Sequence, residues 1–216
     1  MSLKNSALLV IDMQYDFMQG GSLEVQGANE LIPYINKLMT LNWGLIAASK
    51  DWHPSDHISF ASNHSHANAF ETITLDDQSE QVMWPDHCVQ NTTGSEIHDQ
   101  INSSLFDAIV LKGQNSKVDS YSAFFDNNHL EKTQLHAVLL CKKISSIYLV
   151  GLAADFCVKY TAIDGQSLGF DTHFIFDATR SVNLEDNSNL IQQLQLKKIE
   201  INSTQQLIEQ NQPKNK

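Results

Sequence analysis

The chain has 216 residues, of which 42% are hydrophobic and 18% are charged, a composition typical of a globular protein and not of a disordered one. Its 25 acidic and 14 basic residues give a formal net charge of −11. No cluster of lysine and arginine is present to neutralise phosphates, which argues against nucleic-acid binding. The acidic balance also argues against attraction to a membrane surface.

The amino-terminal segment and the cysteines bear on location. The apolar run at 7–11 is too short for the core of a signal peptide and far too short to span a bilayer. Cys88, Cys141 and Cys157 are odd in number and widely spaced, which argues against a disulfide framework. We therefore expect a soluble cytoplasmic protein. The sequence leaves its oligomeric state open, and a homo-oligomer is compatible with it.

Strand-like and helix-like patterns alternate along the chain. Short apolar runs predict six strands, at 7–11, 43–48, 108–111, 146–150, 172–176 and 199–201. Apolar residues at helical spacing predict helices at 29–41, 129–141, 156–168 and 187–197, the third with Asp155 as its N-cap. The alternation predicts one α/β domain over 1–216: an open, mostly parallel six-stranded sheet with helices on both faces.

Two regions fall outside this alternation. The segment at about 51–100 is rich in His, Asn, Ser and Asp and lacks periodicity after its first residues, and five of the nine histidines lie within its part at 53–87. Long irregular segments in compact domains are usually functional or disordered, and we expect this one to be functional. The region after about residue 202 is rich in Gln, Asn and Lys and is expected to fray after a short helix.

Chemically capable side chains follow four of the predicted strands. They are Asp12, Asp51 with His53, Lys112, and the turn that leads to Cys157. Each alone is weak evidence, since a lone Asp after a strand is more often a turn or cap residue and a lone Lys is usually solvated. Ligands bind at the carboxyl ends of strands in open α/β sheets, so we expect these residues to converge at one edge.

The position of Cys157 suggests a nucleophile. In the first turn of a helix, backbone N–H groups and the helix dipole lower the pKa of a thiol and can also hold an oxyanion. Asp12 could carry the proton and Lys112 could supply positive charge. The alternative is that Cys157 only packs on the sheet, as we expect for Cys88 and Cys141.

A metal site is the second hypothesis. Asp51 and His53 stand two residues apart, so an extended segment directs both to the same side. His87 follows Trp84-Pro85-Asp86, a rigid setting. One Asp and two His form a workable shell for Zn, Mn or Fe with open positions for water or substrate. Other histidines are further candidates, although neighbouring histidines are more often simply exposed: His57, His64 and His66.

Several motifs occur in a characteristic order. They are DMQYDF at 12–17, GGSL at 20–23, DWHPSDHISF at 51–60, WPDHCV at 84–89, KG at 112–113, DSYSAF at 119–124 and GLAADFCV at 151–158. Together they resemble the nicotinamidase branch of the isochorismatase-like cysteine hydrolases, whose fold is a three-layer α/β/α sandwich. The resemblance covers about 7–201. One departure is Ala154, where relatives often carry Thr, and its backbone can still serve.

The resemblance implies a role for each site residue. It implies a catalytic triad of Asp12, Lys112 and Cys157. It implies one divalent transition metal (Zn, Fe or Mn), bound to the pyridine nitrogen of the substrate and held by Asp51, His53 and His87. The remaining implied features are ring stacking by Phe17 and Trp84, an oxyanion site of the backbone N–H groups of Ala153 and Cys157, and a cis peptide at Leu152–Ala153. His57 and Ser59 compete for an additional place in the metal shell.

The expected activity is the hydrolysis of nicotinamide to nicotinate and ammonia, with pyrazinamide as a further substrate. One rival is another hydrolase of the superfamily, acting on a carbamoyl compound or on isochorismate, which would not need Asp51, His53 and His87 together. The other is a non-catalytic protein that binds a small ligand or a metal on the same fold. That rival would have no need of a thiol.

Overall fold

Six strands form one parallel sheet in the computed structural model, which describes residues 3–211. The sheet contains β1 (Ser6–Ile11), β2 (Leu45–Asp51), β5 (Ala108–Lys112), β6 (Ser146–Leu152), β7 (Asp171–Arg180) and β8 (Glu200–Asn202). Their spatial order is β5-β2-β1-β6-β7-β8, and every neighbouring pair is parallel. All six predicted strands are confirmed. A separate antiparallel hairpin, β3 (Thr72–Thr74) with β4 (Glu80–Val82), was not predicted.

Helices cover both faces of this sheet, as predicted. They are α1 (Ile32–Met39), α2 (Leu135–Cys141), α3 (Lys159–Ser167), α4 (Asn187–Leu196) and α5 (Thr204–Asn211). Successive side chains of a strand point to opposite faces, and β1 divides accordingly. Leu8 and Val10 pack with buried residues of α1 and α5, whereas Leu9 and Ile11 pack with those of α2, α3 and α4. β1 is therefore buried on both sides, which explains its mainly apolar sequence.

The helix predicted at 129–141 begins later than expected, at Leu135. The carboxylate of Asp126 accepts the backbone N–H groups of Leu130 (2.9 Å) and Glu131 (3.0 Å). His129 has a positive φ of 56°, which a helix does not allow. A side-chain-capped turn thus replaces the first part of the predicted helix. The predicted helix at 29–41 is similarly divided, into a 3-10 turn at Ala28–Leu31 and α1.

The prediction that Asp155 is an N-cap is wrong. Asp155 lies inside a π-helical turn, Ala154–Val158, which precedes α3, and Ala153 occupies the cap position without a side-chain hydrogen bond. The carboxylate of Asp155 is instead engaged by the backbone N–H groups of Val182 and Asn183, both at 2.9 Å. A distant loop therefore competes successfully for a side chain that the local sequence assigns to the helix.

The strand order places an opening beside the centre of the sheet. The chain leaves β1 towards β2 on one side and leaves β6 towards β7 on the other, although β1 and β6 are neighbours. Their connections diverge at the carboxyl ends, where open α/β sheets form ligand crevices. The segment at 51–100, mostly irregular apart from its hairpin, lies at this edge, with bridges His53↔Val89 and Phe60↔Trp84. In the part of the chain that the structure describes, no helix is long and apolar enough to cross a bilayer.

Candidate active site

The ammonium group of Lys112 lies at the centre of a buried cluster at the carboxyl ends of the strands. Its Nζ is 2.5 Å from Asp51 Oδ1, 3.0 Å from Asp12 Oδ2 and 3.3 Å from Cys157 Sγ. It also donates to the carbonyl oxygen of Ser120 at 2.9 Å. Burial alone would lower the pKa of Lys112, but the charges of Asp12 and Asp51 outweigh it and raise that pKa well above its ordinary value. The lysine is therefore a fixed positive charge.

Asp12 follows β1 directly and is completely buried. Ser49 donates its hydroxyl to Oδ1 at 2.6 Å, whereas Oδ2 faces Lys112 as an ion-pair contact and has no hydrogen-bond partner. Burial raises the pKa of Asp12, although Lys112 opposes the shift. Side-chain atoms of Asp12, Asp51 and Cys157 all lie within 4.8 Å of one another. A carboxylate with an increased affinity for a proton thus stands beside a thiol.

Cys157 lies on the π-helical turn after β6 and is buried. The peptide bond at Leu152–Ala153 is cis, as the resemblance led us to expect. Burial raises the pKa of Cys157 well above its usual value; Lys112 opposes this, and Asp12 and Asp51 raise it further. The prediction of a lowered thiol pKa is therefore wrong, because the dipole argument did not include the two carboxylates that β1 and β2 bring to the sulfur. The resting group is a thiol.

Asp51, His53 and His87 come together as predicted. His53 Nε2 is 3.6 Å from Asp51 Oδ1, and His87 Nε2 is 4.0 Å from Asp51 Oδ2. Each imidazole contacts a backbone carbonyl through its other nitrogen: His53 Nδ1 to Gly113 at 2.9 Å and His87 Nδ1 to Pro85 at 2.8 Å. A carbonyl oxygen only accepts, so both Nδ1 atoms carry hydrogen and both Nε2 lone pairs face the cluster.

The protonation states of Asp51 and His87 also suit a bound cation. Burial opposes the charge on Asp51, but Lys112, His53 and His87 together lower its pKa, so the carboxylate is ionised. Burial and the neighbouring His53 lower the pKa of His87 to about 4, which keeps that ring neutral. His53 is also desolvated, but the Asp51 carboxylate raises its pKa overall. One buried carboxylate and two inward Nε2 atoms fit Zn, Fe or Mn better than Mg.

Gly113 holds His53 from behind. Its φ is +65°, in the left-handed region, and a Cβ atom there would lie only 2.3 Å from Cε1 of His53. No other residue type leaves room for the imidazole at this approach. Lys112 therefore contributes a positive charge to the site, and Gly113 leaves the space that the imidazole of His53 occupies.

His57 and Ser59 lie beside the trio and contact each other. His57 Nδ1 is 2.7 Å from Ser59 Oγ, and the rings of His57 and His53 are 4.1 Å apart. His57 Nε2 is buried without a hydrogen-bond partner. Burial and His53 lower the pKa of His57 to about 4. Potential ligand atoms of His57, His53 and Asp119 lie within 4.8 Å of one another. They form a second set, distinct from that of Asp51, His53 and His87.

An aromatic pocket opens above these clusters. The predicted site residues that line it are Phe17, Asp51, His53, Trp84, His87, Ala153 and Cys157. The ring centroids of Phe17 and His87 are 5.5 Å apart. Those of Trp84 and Phe156 are 4.9 Å apart in an edge-to-face arrangement. The remaining lining residues were not predicted: Leu23, Val25, Asp119, Tyr121, Phe156 and Val182. Asp119 and Tyr121 stand in the DSYSAF motif, so their positions were signalled although no role was assigned.

Gln14 is a structural residue that sequence reasoning missed. Its amide donates to the carbonyl of Asp51 at 2.7 Å and accepts from the backbone N–H of Asp51 at 2.8 Å. The same amide donates to Ser95 at 2.8 Å, which joins the strand end to the 51–100 segment. A glutamine in the DMQYDF motif was the available signal. It fixes the backbone that carries a candidate metal ligand.

Other candidates lie outside the site. His64 is half-buried and donates through Nε2 to the carbonyl of Ile58 at 2.7 Å. His66 is exposed, as expected. Cys88 is buried, as predicted, but Cys141 is exposed, so its assignment as a buried packing residue is wrong. Leu135 and Leu139 define the buried face of α2, and Cys141, two residues beyond Leu139, points away from it.

The arrangement of a buried thiol, carboxylate and lysine at the switch point of a parallel sheet has a counterpart in a known family. Residues 6–206 match the isochorismatase domain, and the chain belongs to that family. Among its relatives is a nicotinamidase of Acinetobacter baylyi, 42% identical over 180 residues, which are 83% of this chain and 83% of the relative.

Solved structures agree with this assignment. The yeast nicotinamidase bound to the inhibitor nicotinaldehyde superposes with a TM-score of 0.87 at 36% identity, covering 92% of this chain and 99% of the other. The pyrazinamidase of Pyrococcus horikoshii in complex with zinc gives a TM-score of 0.74 at 31% identity, covering 92% and 99%. The chain thus spans nearly the full length of these relatives.

Proposed function

We propose that the chain is a nicotinamidase, an amide hydrolase that converts nicotinamide to nicotinate and ammonia and also accepts pyrazinamide. The observation that carries the proposal is one pocket whose lining includes the buried thiol, the Asp-His-His cluster and several aromatic rings. A hydrolase of other small amides would need the thiol alone. Relatives named nicotinamidase and a zinc-containing pyrazinamidase support the same substrate class. We further propose that the protein is cytoplasmic and that residues 1–216 form a single domain.

Cys157 is the proposed nucleophile and Asp12 the proposed base. The sulfur is a thiol at rest, so its proton must leave as it attacks the amide carbon. A carboxylate oxygen of Asp12 lies within 4.8 Å of the sulfur, and burial raises the pKa of this carboxyl, both of which favour proton acceptance. Lys112, at 3.3 Å from Sγ and 3.0 Å from Asp12, stabilises the negative charge while the proton moves.

The backbone N–H groups of Ala153 and Cys157 are the proposed donors to the oxyanion of the tetrahedral intermediate. Both residues line the pocket at the turn after β6. Asp12 then passes its proton to the departing ammonia, and the amide carbon stays on sulfur as a thioester. A water that Asp12 deprotonates hydrolyses the thioester, releases nicotinate and restores the thiol.

Asp51, His53 and His87 are the proposed ligands of one transition metal ion, Zn, Fe or Mn. When bound, the ion would supply a Lewis-acidic position for the pyridine nitrogen of the substrate. The rings of Phe17 and Trp84 would then stack against the pyridine ring of the substrate. For the additional ligand we favour His57 over Ser59, because the hydroxyl of Ser59 already contacts His57 Nδ1 while His57 Nε2 has no partner.

Ammonia release tests the proposal. Purified protein supplied with Zn, Mn or Fe is incubated with nicotinamide, ammonia is measured by a coupled glutamate dehydrogenase assay, and nicotinate is identified by chromatography. We expect equal amounts of both products, with Cys157→Ala inactive and Cys141→Ala, which changes an exposed thiol, fully active. No nicotinate from any of the three metal-loaded proteins would overturn the proposal.

A further inference from the structure

The mouth of the pocket is formed partly by a segment with no regular structure. After β7 ends at Arg180, the chain crosses the pocket entrance at 181–183 before the short turn Leu184–Asp186. Val182 lines the pocket together with Phe156 and Cys157. No ladder or helix holds this segment, so its position depends on the few side chains that bond to it.

Asp155 provides two of those bonds. Its Oδ1 accepts the backbone N–H of Val182 and its Oδ2 accepts that of Asn183, both at 2.9 Å. Two N–H groups on one carboxylate form charge-assisted bonds, which are stronger than neutral ones. Ser181 adds a third contact by donating to Asn187 Oδ1 at 2.6 Å. The crossing segment is thus fixed chiefly to the carboxylate of a single residue.

Asp155 lies on the same turn as the reacting groups. It stands two residues before Cys157 and two after Ala153, inside the turn at Ala154–Val158. The carboxylate therefore connects the turn that carries the thiol to the opposite wall of the entrance. Val182 and Cys157 line the same pocket, so Asp155 joins two parts of its wall.

We propose that Asp155 is a positioning residue that sets the width of the pocket entrance by holding Val182 at a fixed distance from the Cys157 turn. It thereby determines substrate affinity and the size of ring substituent that is admitted, without contacting the substrate. This assignment rests on the proposed nicotinamidase function. A residue that only stabilised the turn would instead affect the reactivity of Cys157.

The test compares Asp155→Asn and Asp155→Ala with a matched control. Asparagine keeps the size but places an NH₂ group against a backbone N–H, and alanine removes both acceptors. The control Asp186→Asn changes an exposed carboxylate on the same loop, bonded only to the side chain of Asn189. We expect both Asp155 variants to raise KM for nicotinamide about tenfold with kcat within about threefold of the wild type, because misplaced walls weaken binding. The control should change neither.

Two further readouts separate positioning from general stability. Discrimination against a ring-methylated nicotinamide should decrease in the Asp155 variants and in Val182→Ala, and the double variant Asp155→Ala/Val182→Ala should show no additional change, since the two residues act through one contact. Alkylation of Cys157 by iodoacetamide should be no slower than in the wild type. A lower kcat at unchanged KM, slower alkylation, or additive effects in the double variant would each refute the positioning role.

Hydrogen exchange keeps the test independent of catalysis. The amides of Val182 and Asn183 should exchange faster in the Asp155 variants than in the wild type and in Asp186→Asn. If the wild type releases no ammonia from nicotinamide, the proposed function fails, and exchange alone then decides the role of Asp155. Unchanged protection of both amides would overturn it in either case.

Discussion

Gly113→Ala tests how the candidate metal site is held together. The structure gives two separate costs for this substitution. Alanine must adopt a φ of +65°, which costs an L-residue about 1–2 kcal/mol. Its Cβ would also lie 2.3 Å from Cε1 and 2.5 Å from Nδ1 of His53, and such overpacking in a rigid interior costs roughly 1–3 kcal/mol. The expected loss of unfolding free energy is therefore about 2–5 kcal/mol.

The chain offers a matched control in Gly20. Its φ is +83°, but a Cβ there would meet nothing within 4 Å. Gly20→Ala therefore carries only the backbone cost of about 1–2 kcal/mol. For a chain of this length, 1 kcal/mol corresponds to roughly 2–4 °C in Tm. We expect Tm to decrease by about 4–20 °C for Gly113→Ala and by about 2–8 °C for Gly20→Ala.

Metal affinity provides the sharper measurement. Displacing His53 also disturbs its bond to the carbonyl of Gly113, and loss of such outer contacts typically weakens metal binding about 10- to 100-fold. Zinc affinity is measured by competition with a chromophoric chelator, and Tm by calorimetry, for both variants. If Gly113→Ala matched Gly20→Ala in Tm and retained the zinc affinity of the wild type, the inferred clash with His53 would be wrong.

Three further predictions concern individual roles. His87→Ala should lose bound metal and raise KM, while Cys157 still reacts with iodoacetamide. A chelator-treated enzyme should recover activity with Zn, Mn or Fe but not with Mg, and full activity without metal would exclude the site. Asp12→Asn should retain metal by elemental analysis yet reduce kcat by about 10²–10⁴-fold, and near-normal turnover would place the base elsewhere. Cys157→Ala should bind nicotinamide by calorimetry without hydrolysing it, and an aldehyde analogue should protect the wild-type thiol. Inactivation that followed alkylation of Cys141 instead would contradict this assignment.

The architecture was predictable because its signals are repeated. The central strands β1, β2 and β6 are mainly apolar runs, and burial on both faces leaves little freedom in their composition. Site residues were predictable for a related reason: Asp12 follows β1 directly, Asp51 and Lys112 end β2 and β5, and parallel strands bring their carboxyl ends to one edge. The motifs then suggested a role for each residue, and those roles, with the single-domain interpretation, stay predictions.

What the sequence could not provide was competition between distant groups. Asp155 has the position of a helix cap, but the N–H groups of Val182 and Asn183 take its carboxylate. Cys157 has the position of an acidic thiol, but burial and two carboxylates from other strands raise its pKa. In both cases a partner remote in sequence outweighed the structure or the pKa that the local pattern predicts.

The strand order also has a consequence for synthesis of the chain. β1 leaves the ribosome well before β6, its partner on one side, because residues 12–145 lie between the two strands. Until then one edge of a mainly apolar strand has no partner, and such edges recruit other chains or chaperones. Chains that end before β6 would also lack the Cys157 turn. We therefore expect incomplete products to be both inactive and prone to aggregation, with no active fragment accumulating on the way to the full-length enzyme.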